Sequence, residues 1–510
     1  MKFQEASQKN ISTMYGKSRK YMNVSSITIV GGGTSGWLAA AYLYKNQPDI
    51  AITVIDKEVG TPIGVGEATL LSFKPFMEEC GFKLEDWFTP IDTGYKSGIL
   101  FSNWRESKDD IWHPFYKGNR KLFNTTNIWD IWSCNQDFDF KKYALSSYEN
   151  SVDHNSLDSN AIDNYAFHVD CNKLVIFLQD KLKDKIKIVR SDVVKVHYKD
   201  NDIIESLELK NTNRIVSDLY VDCTGFQNIL RKPTNRIDLS DRLFVNTAVA
   251  CPVQYQDRAN EFKPYAICEA VDHGWIWKIG VASRIGSGMV FNRHITDIEE
   301  AKEYFVNHWN NRISKENVRV IHWDPFYNED QWAGNVVTVG LSAGFIEPLE
   351  STGIGLITYA IGQLNSAIYE RRFSDIDRTN FNLQMKILFE DCVDFVSMHY
   401  ANNSRSSKFW NYVKDKFAPS ARMNHFVSEL IDPNIAVPNA GKYNYMFGGS
   451  NWSLMLIQLG YKLASRNISV PQEASGELLV KNYIEHEKHR HIWGRPHSAE
   501  VDRITELNKL

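Results

Sequence analysis

A glycine-rich segment near the start of the chain, Gly31-Gly32-Gly33-Thr34-Ser35-Gly36, constrains the fold more than any other feature. The apolar run 26–30 before it predicts a short strand, and residues 37–43 after it predict a helix. A second apolar run, 51–55, predicts another strand. A strand, a helix and a strand within about 30 residues predict a right-handed β-α-β crossover in a parallel sheet.

The same glycines match the pattern G-x-G-x-x-G, which binds the pyrophosphate of a dinucleotide. Gly31 would form the tight turn, Gly33 would allow the backbone to approach the ligand, and Gly36 would let the helix pack closely on the sheet. The N-terminus of that helix, with Thr34 and Ser35, would present free N–H groups to the phosphates. The alternative is a glycine-rich turn with a purely structural role.

An acidic residue supports dinucleotide binding, and two later segments indicate FAD rather than NAD. Asp56 ends the second strand, where an acidic side chain accepts hydrogen bonds from ribose hydroxyls. The segments Asp218–Gly225 and Asn335–Gly344 resemble the two segments by which FAD-dependent monooxygenases return to the nucleotide, so Gly340 is a further candidate contact. Ser342 stands where that group usually has Asp. The sequence has no second G-x-G-x-x-G for NAD(P)H, so reducing equivalents are expected to arrive as reduced flavin.

Composition excludes several classes of protein. Of the 510 residues, 43% are apolar and 24% charged, as in ordinary folded proteins. The 58 Lys and Arg nearly balance the 62 Asp and Glu, which argues against a nucleic-acid-binding protein. The seven cysteines include no C-x-x-C pair, and no apolar run is long enough to span a membrane. We therefore expect reduced thiols, no metal site and a cytoplasmic location.

The chain is predicted to be an α/β protein with three parts. Residues 1–23 are polar and read as a mobile N-terminal arm rather than a secretory signal. Residues 24–378 form a Rossmann-like FAD-binding domain of the GR2-type monooxygenase kind, with inserted segments that face the substrate. Residues 379–510 form a mostly helical module that covers the substrate, in which residues 432–445, rich in Pro, Asn and Gly, predict a loop.

Several stretches together resemble one family, the flavin-dependent halogenases of the tryptophan halogenase group. The resemblance runs from about residue 24 to about residue 412, and its motifs are Gly64–Thr69, Gly94–Gly98 followed by Phe101–Arg105, Gly274–Ile279 with Gly286–Gly288, and Phe345–Ile354. The family's W-x-W-x-I-P motif ends here in Gly280 instead of Pro. The resemblance implies that Trp275 and Trp277 shield the flavin from the substrate and that Ala68 contacts the cofactor.

The family reaction uses reduced FAD, dioxygen and halide to make hypohalous acid, which travels through a tunnel to an aromatic substrate. By resemblance, Lys96 is the catalytic lysine that orients this oxidant, and Glu350 is the carboxylate that stabilises the ring cation and takes its proton. Glu347, in the same Glu-Pro-Leu-Glu segment, is the rival for the second role. Thr352 and Gly353 match the halide-binding position, where a helix N-terminus would attract an anion.

His113 and Phe115 fall where tryptophan-specific members stack a histidine and an aromatic ring on the indole, and Phe447 falls near their capping tryptophan. The Tyr-Tyr pair and the Glu with which those members grip the amino-acid end are not found in the sequence near Pro433–Tyr445. The expected substrate is therefore an indole- or phenol-type arene rather than free tryptophan, with chloride, bromide or iodide as the halide.

The expected partner is a separate flavin reductase that forms no stable complex, and the enzyme is expected to be a homo-oligomer without nucleic-acid or membrane contacts. Two alternatives stay open at this point. One is a flavin-dependent aromatic monooxygenase, which would need neither Lys96 nor Glu350. The other is a non-catalytic flavoprotein, which would have no reason to keep both residues beside Thr352.

Overall fold

The structure is a computed structural model, and it describes residues 21–57, 67–105, 110–115, 148–158, 165–200, 202–231, 234–432, 446–462, 464 and 494–507. Residues 1–20, the glycines of the 64–66 stretch and the predicted loop 433–445 lie outside the described residues. Met22 and Asn23, assigned above to the arm, pair as a short strand with Arg372–Phe373. Regular structure therefore begins two residues before the predicted boundary of the arm.

The described strands are, in chain order, β1 (Met22–Asn23), β2 (Ser26–Val30), β3 (Ala51–Asp56), β4 (Glu67–Ala68), β5 (Gly94–Lys96), β6 (Gly98–Ser102), β7 (Ile111–Pro114), β8 (Ser156–Asp158), β9 (Ala166–Val169), β10 (Lys187–Arg190), β11 (Val193–Asp200), β12 (Ile203–Leu209), β13 (Arg214–Ile215), β14 (Leu219–Asp222), β15 (Arg236–Asp238), β16 (Thr247–Val253), β17 (Ala266–Val271), β18 (Gly274–Val281), β19 (Arg284–Phe291), β20 (Arg319–His322), β21 (Phe326–Asn328), β22 (Trp332–Ala333), β23 (Val336–Thr338), β24 (Gly344–Phe345), β25 (Arg372–Phe373) and β26 (Gly494–Pro496).

The described α-helices are, in chain order, α1 (Thr34–Asn46), α2 (Phe73–Glu79), α3 (Leu84–Trp87), α4 (Cys171–Leu182), α5 (Arg258–Glu261), α6 (Ile298–His308), α7 (Thr352–Ala367), α8 (Asp375–Met398), α9 (Lys408–Lys416), α10 (Ala421–Ile431), α11 (Gly449–Gln458) and α12 (His497–Leu507).

The nucleotide-binding part is a six-stranded sheet in the order β10-β3-β2-β14-β23-β22. Its strands are parallel except for β22 at one edge, which runs antiparallel to β23. The predicted β-α-β unit is confirmed, because β2, α1 and β3 follow one another and β2 pairs with β3 in parallel. Residues 36–43 of α1 are all buried, since small alanines let the helix pack closely between the sheet and its neighbouring helices.

A second, seven-stranded sheet carries much of the candidate site. Its order is β20-β16-β19-β18-β17-β6-β7, and it is antiparallel except for the β17–β6 pair. Strand β18 holds the two tryptophans of the W-x-W motif, and edge strand β7 holds His113. A small antiparallel sheet, β4-β9-β5, places Lys96 at the end of β5.

The described residues after β25 are mostly helical, as predicted. Their longest helix, α8, begins at Asp375 rather than near residue 379, because Ser374 and Asp377 form a capping box. Buried residues of α7, α8, α10 and α11 join the same hydrophobic cluster as the nucleotide-binding sheet. No described helix is long and apolar enough to cross a membrane. The division into domains at residue 378 stays a prediction.

Candidate active site

The glycine loop has the shape of a cradle. Gly31 has a φ of 113°, and a Cβ there would lie 2.2 Å from the carbonyl oxygen of Cys223, so the position requires glycine. A Cβ on Gly36 would lie 1.9 Å from the carbonyl oxygen of Gly31, which explains the close fit of α1 against the loop. Around Gly33, by contrast, no described atom beyond its chain neighbours lies within 4 Å of the Cβ position. The middle of the loop is therefore open to a ligand while its ends are tightly packed.

Asp56 lies beside this loop, as predicted. A Cβ on Gly32 would lie 1.8 Å from the Asp56 Cγ, so the carboxyl rests directly on the glycine segment. Its Oδ2 also pairs with the guanidinium of Arg190 at the end of β10 and lies 3.5 Å from the Gln179 Nε2. Sequence reasoning did not foresee the arginine, because it reaches Asp56 only through the parallel pairing of β3 with β10.

Two later segments converge on the same loop. Gly340 has a φ of 74°, and a Cβ there would lie 2.9 Å from the Ser35 side chain. Ser342, which replaces the usual Asp, donates from its Oγ to the Asp222 Oδ1 at 3.1 Å and to the Gly225 carbonyl oxygen at 3.0 Å. Segments following β2, β14 and β23 thus meet at the carboxyl edge of the sheet, where nucleotides bind in such folds. The open cradle, the acid beside it and the two flanking segments fit FAD. Ala68, also predicted to contact FAD, is a buried residue of β4 paired with His168, and its contact stays a prediction.

Lys96 is completely buried, which is unusual for a lysine. Its Nζ donates to the Ser351 Oγ at 2.9 Å and to the Thr69 carbonyl oxygen at 3.2 Å, and it lies 4.5 Å from the centre of the Phe115 ring. Burial lowers the pKa of Lys96 to about 7, although the charge of Glu350 opposes the shift. The amine therefore changes charge near neutral pH and is not a solvated surface lysine.

Glu350 is completely buried and bound at both oxygens. Its Oε2 lies 2.7 Å from the Nδ1 of His113, and its Oε1 lies 2.7 Å from the Nε2 of His399. Burial alone would raise the pKa of Glu350, but the charges and hydrogen bonds of the two imidazoles outweigh it and hold that pKa well below its usual range. Glu350 and Ser351 also have φ angles of 64° and 61°, so two consecutive non-glycine residues are left-handed. The carboxylate is thus held charged and fixed in direction.

An aromatic wall surrounds His113. The ring of Phe447, 3% exposed, stacks on Phe395 with centroids 3.9 Å apart and planes 9° apart. The His113 ring lies 5.5 Å from Phe395, 6.2 Å from Phe447 and 6.2 Å from Phe115, measured between centroids. The three predicted substrate contacts therefore lie together. Their roles toward a substrate stay predictions.

The start of α7 has the features expected of an anion site. The Thr352 hydroxyl is buried, and no described residue forms a hydrogen bond with it. Gly353 is exposed, and in the part of the chain that the structure describes no atom outside its own helix backbone and chain neighbours lies within 4 Å of its Cβ position. The helix begins at Thr352, one residue before the predicted start, so the free N–H groups of its first turn lie at this opening.

The W-x-W motif lies on β18 with Trp275 fully buried and Trp277 6% exposed. The Nε1 of Trp275 donates to the Tyr400 hydroxyl oxygen at 3.2 Å. Gly280 replaces the family proline for a visible reason: a Cβ there would lie 2.9 Å from the Phe262 ring. In this chain Phe262 fills the space that a proline ring would need.

Glu347, the rival for the role of Glu350, lies in a different environment. It is 2% exposed, and its Oε1 accepts a hydrogen bond of 2.8 Å from the Tyr400 hydroxyl rather than from an imidazole. Glu350 alone of the two is bonded to the predicted substrate-contacting His113. The geometry therefore favours Glu350 as the carboxylate at the aromatic wall.

Sequence reasoning missed three residues of this site, all on one face of α8 and its C-cap. Asp391, Phe395 and His399 are spaced four residues apart, so they lie in a row along the helix. His399 binds Glu350, Phe395 stacks on Phe447, and Asp391 accepts a hydrogen bond from the Phe447 backbone N–H at 3.0 Å. An acid and a histidine eight residues apart on a helix rich in buried residues were the available signal.

Comparison with known proteins identifies the family. Residues 26–470 match the family described as tryptophan halogenase. Tryptophan 6-halogenase ThaL from Streptomyces albogriseolus is 30% identical over 430 residues, which cover 78% of this chain and 81% of ThaL. The crystal structure of tryptophan 6-halogenase SttH from Streptomyces toxytricini matches with a TM-score of 0.85 at 25% identity, covering 94% of this chain and all of that one.

The structure of Tar14, a tryptophan C-6 flavin-dependent halogenase (chlorinase) from taromycin biosynthesis, matches with a TM-score of 0.82 at 25% identity. That match covers 94% of this chain and 100% of Tar14. The family match spans most of the chain and includes the glycine cradle, Lys96 and Glu350. The chain therefore belongs to the tryptophan halogenase family, and the enzyme is a flavin-dependent halogenase.

Proposed function

We propose that this halogenase transfers halogen from hypohalous acid to an electron-rich indole- or phenol-type arene, under the direction of Lys96 and Glu350. One observation carries the proposal. Both charged groups are fully buried, and they meet through Ser351, which follows Glu350 in the chain and accepts a hydrogen bond from the Lys96 Nζ. Burying two ionisable groups costs several kcal/mol each unless they are bonded, and such an arrangement is typical of catalytic sites.

The cofactor fits at the cradle of residues 31–36, with Asp56 and Gly340 beside it. Bound reduced FAD would supply the chemistry that turns dioxygen and halide into hypohalous acid. Thr352 and Gly353 would hold the halide, because a buried hydroxyl without a described partner and the N–H groups of a helix start both donate to an anion. Trp275 and Trp277 would separate this region from the arene.

Lys96 would hold the oxidant. An ammonium group donates hydrogen bonds to the oxygen of hypohalous acid and so directs its halogen toward the ring. Because the pKa of Lys96 is about 7, both the ammonium and the amine are populated near neutral pH. The Phe115 ring at 4.5 Å stabilises the charged form by a cation–π contact.

Glu350 would act on the ring. Attack of the arene on the halogen produces a cation, and the carboxylate stabilises that cation and then accepts its proton. The His113 and His399 imidazoles keep the carboxylate ionised before the reaction. A residue already fixed in direction adds no ordering cost in the transition state.

The wall around His113 supports the proposed substrate class. The described side chains that meet there are aromatic, with Phe447 in place of the family's tryptophan, and they suit a flat ring. The sequence of residues 433–445 offers no Tyr-Tyr pair for an amino-acid group. Relatives such as ThaL are named for action on tryptophan; for this enzyme we propose an arene without the ammonium and carboxylate groups.

The proposal is tested by matched substrates. Enzyme, FAD, NADH, an added flavin reductase, oxygen and either chloride or bromide are incubated with indole, a small phenol or free tryptophan, and products are identified by mass spectrometry. We expect halogenated indole at its most electron-rich carbon and little halotryptophan. Hydroxylated products instead would favour a monooxygenase. Efficient halogenation of tryptophan at one benzo-ring carbon would refute the substrate class while leaving the halogenase reaction intact.

The source of reduced flavin is part of the proposal. No second dinucleotide fingerprint exists in the sequence, so a separate reductase must supply it. The purified chain with FAD is expected to leave NADH unoxidised until the reductase is added. Stoichiometric NADH consumption by the chain alone would refute the need for a separate reductase.

We also propose that the enzyme is a homo-oligomer. Its molar mass in solution, measured by light scattering, tests this.

A further inference from the structure

A second buried carboxyl group lies in the same segment as Glu350. Glu347 is 2% exposed, and no described cation bonds to it. Its Oε1 accepts a 2.8 Å hydrogen bond from the Tyr400 hydroxyl. Its Oε2 is buried and has no hydrogen-bond partner among the described residues. A buried carboxyl oxygen without a partner is rare and asks for an explanation.

The direction of the hydrogen bonds around Glu347 is fixed. The indole N–H of Trp275 can only donate, so the Tyr400 oxygen, 3.2 Å away, must accept from it. The hydroxyl hydrogen of Tyr400 is then free to be donated to the Glu347 Oε1. In this arrangement Oε1 already accepts from Tyr400, so a proton on Glu347 lies on Oε2, the oxygen without a described partner. The side chain presents an unused O–H donor.

The pKa values of Glu347 and Glu350 are shifted in opposite directions. Burial raises the pKa of Glu347 to about 8, although the Tyr400 hydroxyl and the Trp275 indole partly oppose the shift. The pKa of Glu350 is lowered by its two imidazoles. The consecutive residues His399 and Tyr400 bind one carboxyl each. Two neighbouring carboxyls with pKa values pushed apart are the usual sign of an acid and a base acting together.

The charges of both carboxyls act on one buried thiol. The thiol of Cys268 on β17 has a raised pKa because of burial and the charge of Glu350, with a smaller contribution from Glu347, and Lys96 opposes the shift. All three charged groups therefore lie within electrostatic range of Cys268. In the seven-stranded sheet Cys268 pairs with Trp277 of the W-x-W motif, so the strand that carries this thiol lies beside the motif.

We propose that Glu347 is a second catalytic group of this site, the acid that protonates the departing oxygen of hypohalous acid. The inference rests on the halogen transfer proposed above. As the arene forms its bond to the halogen, the oxygen–halogen bond breaks and its electron pair stays on oxygen. That oxygen takes the proton from the Glu347 Oε2 and leaves as water. The ring proton passes to the Glu350 carboxylate.

The reaction balances without another reactant. Arene and hypohalous acid give haloarene and water, while one proton has left Glu347 and one has reached Glu350. A single proton transfer back through water restores both groups. Lys96 keeps the role of orienting the oxidant. The division of work explains why the segment holds two buried carboxyls in different environments, one able to give a proton and one able to take it.

The test compares Glu347→Gln with the wild-type enzyme at saturating indole, with the added reductase and bromide. The amide fills the same space and still donates a hydrogen bond, but it cannot give a proton. We expect the rate of bromoindole formation to fall about tenfold or more, within the range typical for loss of a general acid. Free hypobromous acid, trapped by an added scavenger in the absence of indole, should form at the wild-type rate. Glu205→Gln, the same change at an exposed position on β12, should leave both rates unchanged.

The pH profile separates this role from a structural one. Because the acid form is required, the wild-type rate should fall as the pH rises through about 8. Lys96, with a pKa of about 7, titrates nearby and Glu350 stays ionised, while the raised pKa values of Cys268 and Tyr400 place their ionisation at higher pH. Both enzymes keep these other groups, so the ratio of the wild-type rate to the Glu347→Gln rate reports the ionisation of Glu347. That ratio should decrease toward high pH.

A second variant guards against a folding defect. Glu347→Asp keeps an acid and should recover part of the lost rate together with the fall near pH 8. Wild-type rates and an unchanged pH profile in Glu347→Gln would overturn the inference and leave the proposed function intact. A Glu347→Asp rate no higher than the Glu347→Gln rate would do the same. Loss of both trapped oxidant and product in Glu347→Gln would also overturn it, since the residue would then act before halogen transfer. Failure of the wild-type enzyme to halogenate any arene would instead refute the proposed function.

Discussion

Asp391 is a buried carboxyl group on α8 that fastens the aromatic wall. Its Oδ2 accepts from the Phe447 N–H at 3.0 Å, and its Oδ1 accepts from the Arg422 Nη1 at 2.7 Å. Because Phe447 stacks on Phe395, these bonds set the position of the wall relative to His113. The substitution Asp391→Asn keeps the shape of the side chain and an acceptor for Phe447, and it removes the negative charge.

The effect on stability depends on pH in a direction that follows from burial. Burial raises the pKa of Asp391 from 3.8 to about 7, although the Phe447 N–H and Arg422 oppose it. The folded state therefore holds the proton more tightly than the unfolded state, and stability is lost as the pH rises from about 4 to about 7. At about 1.4 kcal/mol per pH unit, the upper bound is about 4 kcal/mol. Solvent near the partly exposed Arg422 screens the buried charge, so we expect a stability change of roughly 2 kcal/mol.

The assay measures thermal unfolding of the wild type and Asp391→Asn between pH 5 and pH 8. Relative to the wild type, the variant should gain stability as the pH rises to about 7 and then stay level. Hydrogen exchange measured at the Phe447 backbone N–H reports this bond directly. The control is Asp502→Asn, a half-exposed carboxylate paired with Arg258, whose difference from the wild type should be the same at each pH. A constant difference for Asp391→Asn, or one that worsens as the pH rises, would refute the reasoning.

Three further outcomes are expected. Lys96→Ala should abolish halogenation while FAD binding, followed by absorbance, persists, because Lys96 lies away from the glycine cradle; product from this variant would remove it from the mechanism. His399→Ala should raise the pKa of Glu350. It should lower kcat about 10- to 100-fold with little change in KM for indole, because the carboxylate loses one hydrogen bond to a charged group. A change in KM alone would indicate that His399 contacts the substrate instead. Gly280→Pro, which restores the family residue, should lower the stability of the fold by about 1–3 kcal/mol through overpacking against Phe262. In a Phe262→Ala background the same proline should cost less stability than it does in the wild type. Equal costs in the two backgrounds would contradict the steric explanation.

The local parts of the fold were predictable from the sequence because their signals are local. The β2-α1-β3 unit follows from hydrophobic runs and from glycines that only a tight turn explains, and it lies where predicted. Lys96 and Glu350 were found through short motifs whose order and spacing resemble one family. Helix α8 begins at Asp375, where Ser374 and Asp377 form a capping box, while the domain boundary at residue 378 stays a prediction.

The partners of these residues could not be predicted in the same way. His399 reaches Glu350 across 49 positions of the chain, and Arg190 reaches Asp56 across 134. Neither pair has a local signature, since each is created by the packing of separate elements. The reason for Gly280 was equally hidden, because the ring that excludes a proline comes from Phe262 on another segment. Long-range packing, rather than sequence pattern, decides which buried charges are satisfied.

The left-handed turn at Glu350 and Ser351 has a consequence for how such an enzyme can change during evolution. Each non-glycine residue in this conformation costs on the order of 1 kcal/mol or more, so the turn persists only because its surroundings hold it. The direction of the Glu350 carboxylate is therefore set by the scaffold. The aromatic wall is built from separate elements, β7, α8 and the segment before α11. Exchange of wall side chains can adapt the enzyme to a new arene while the direction of the carboxylate is inherited unchanged.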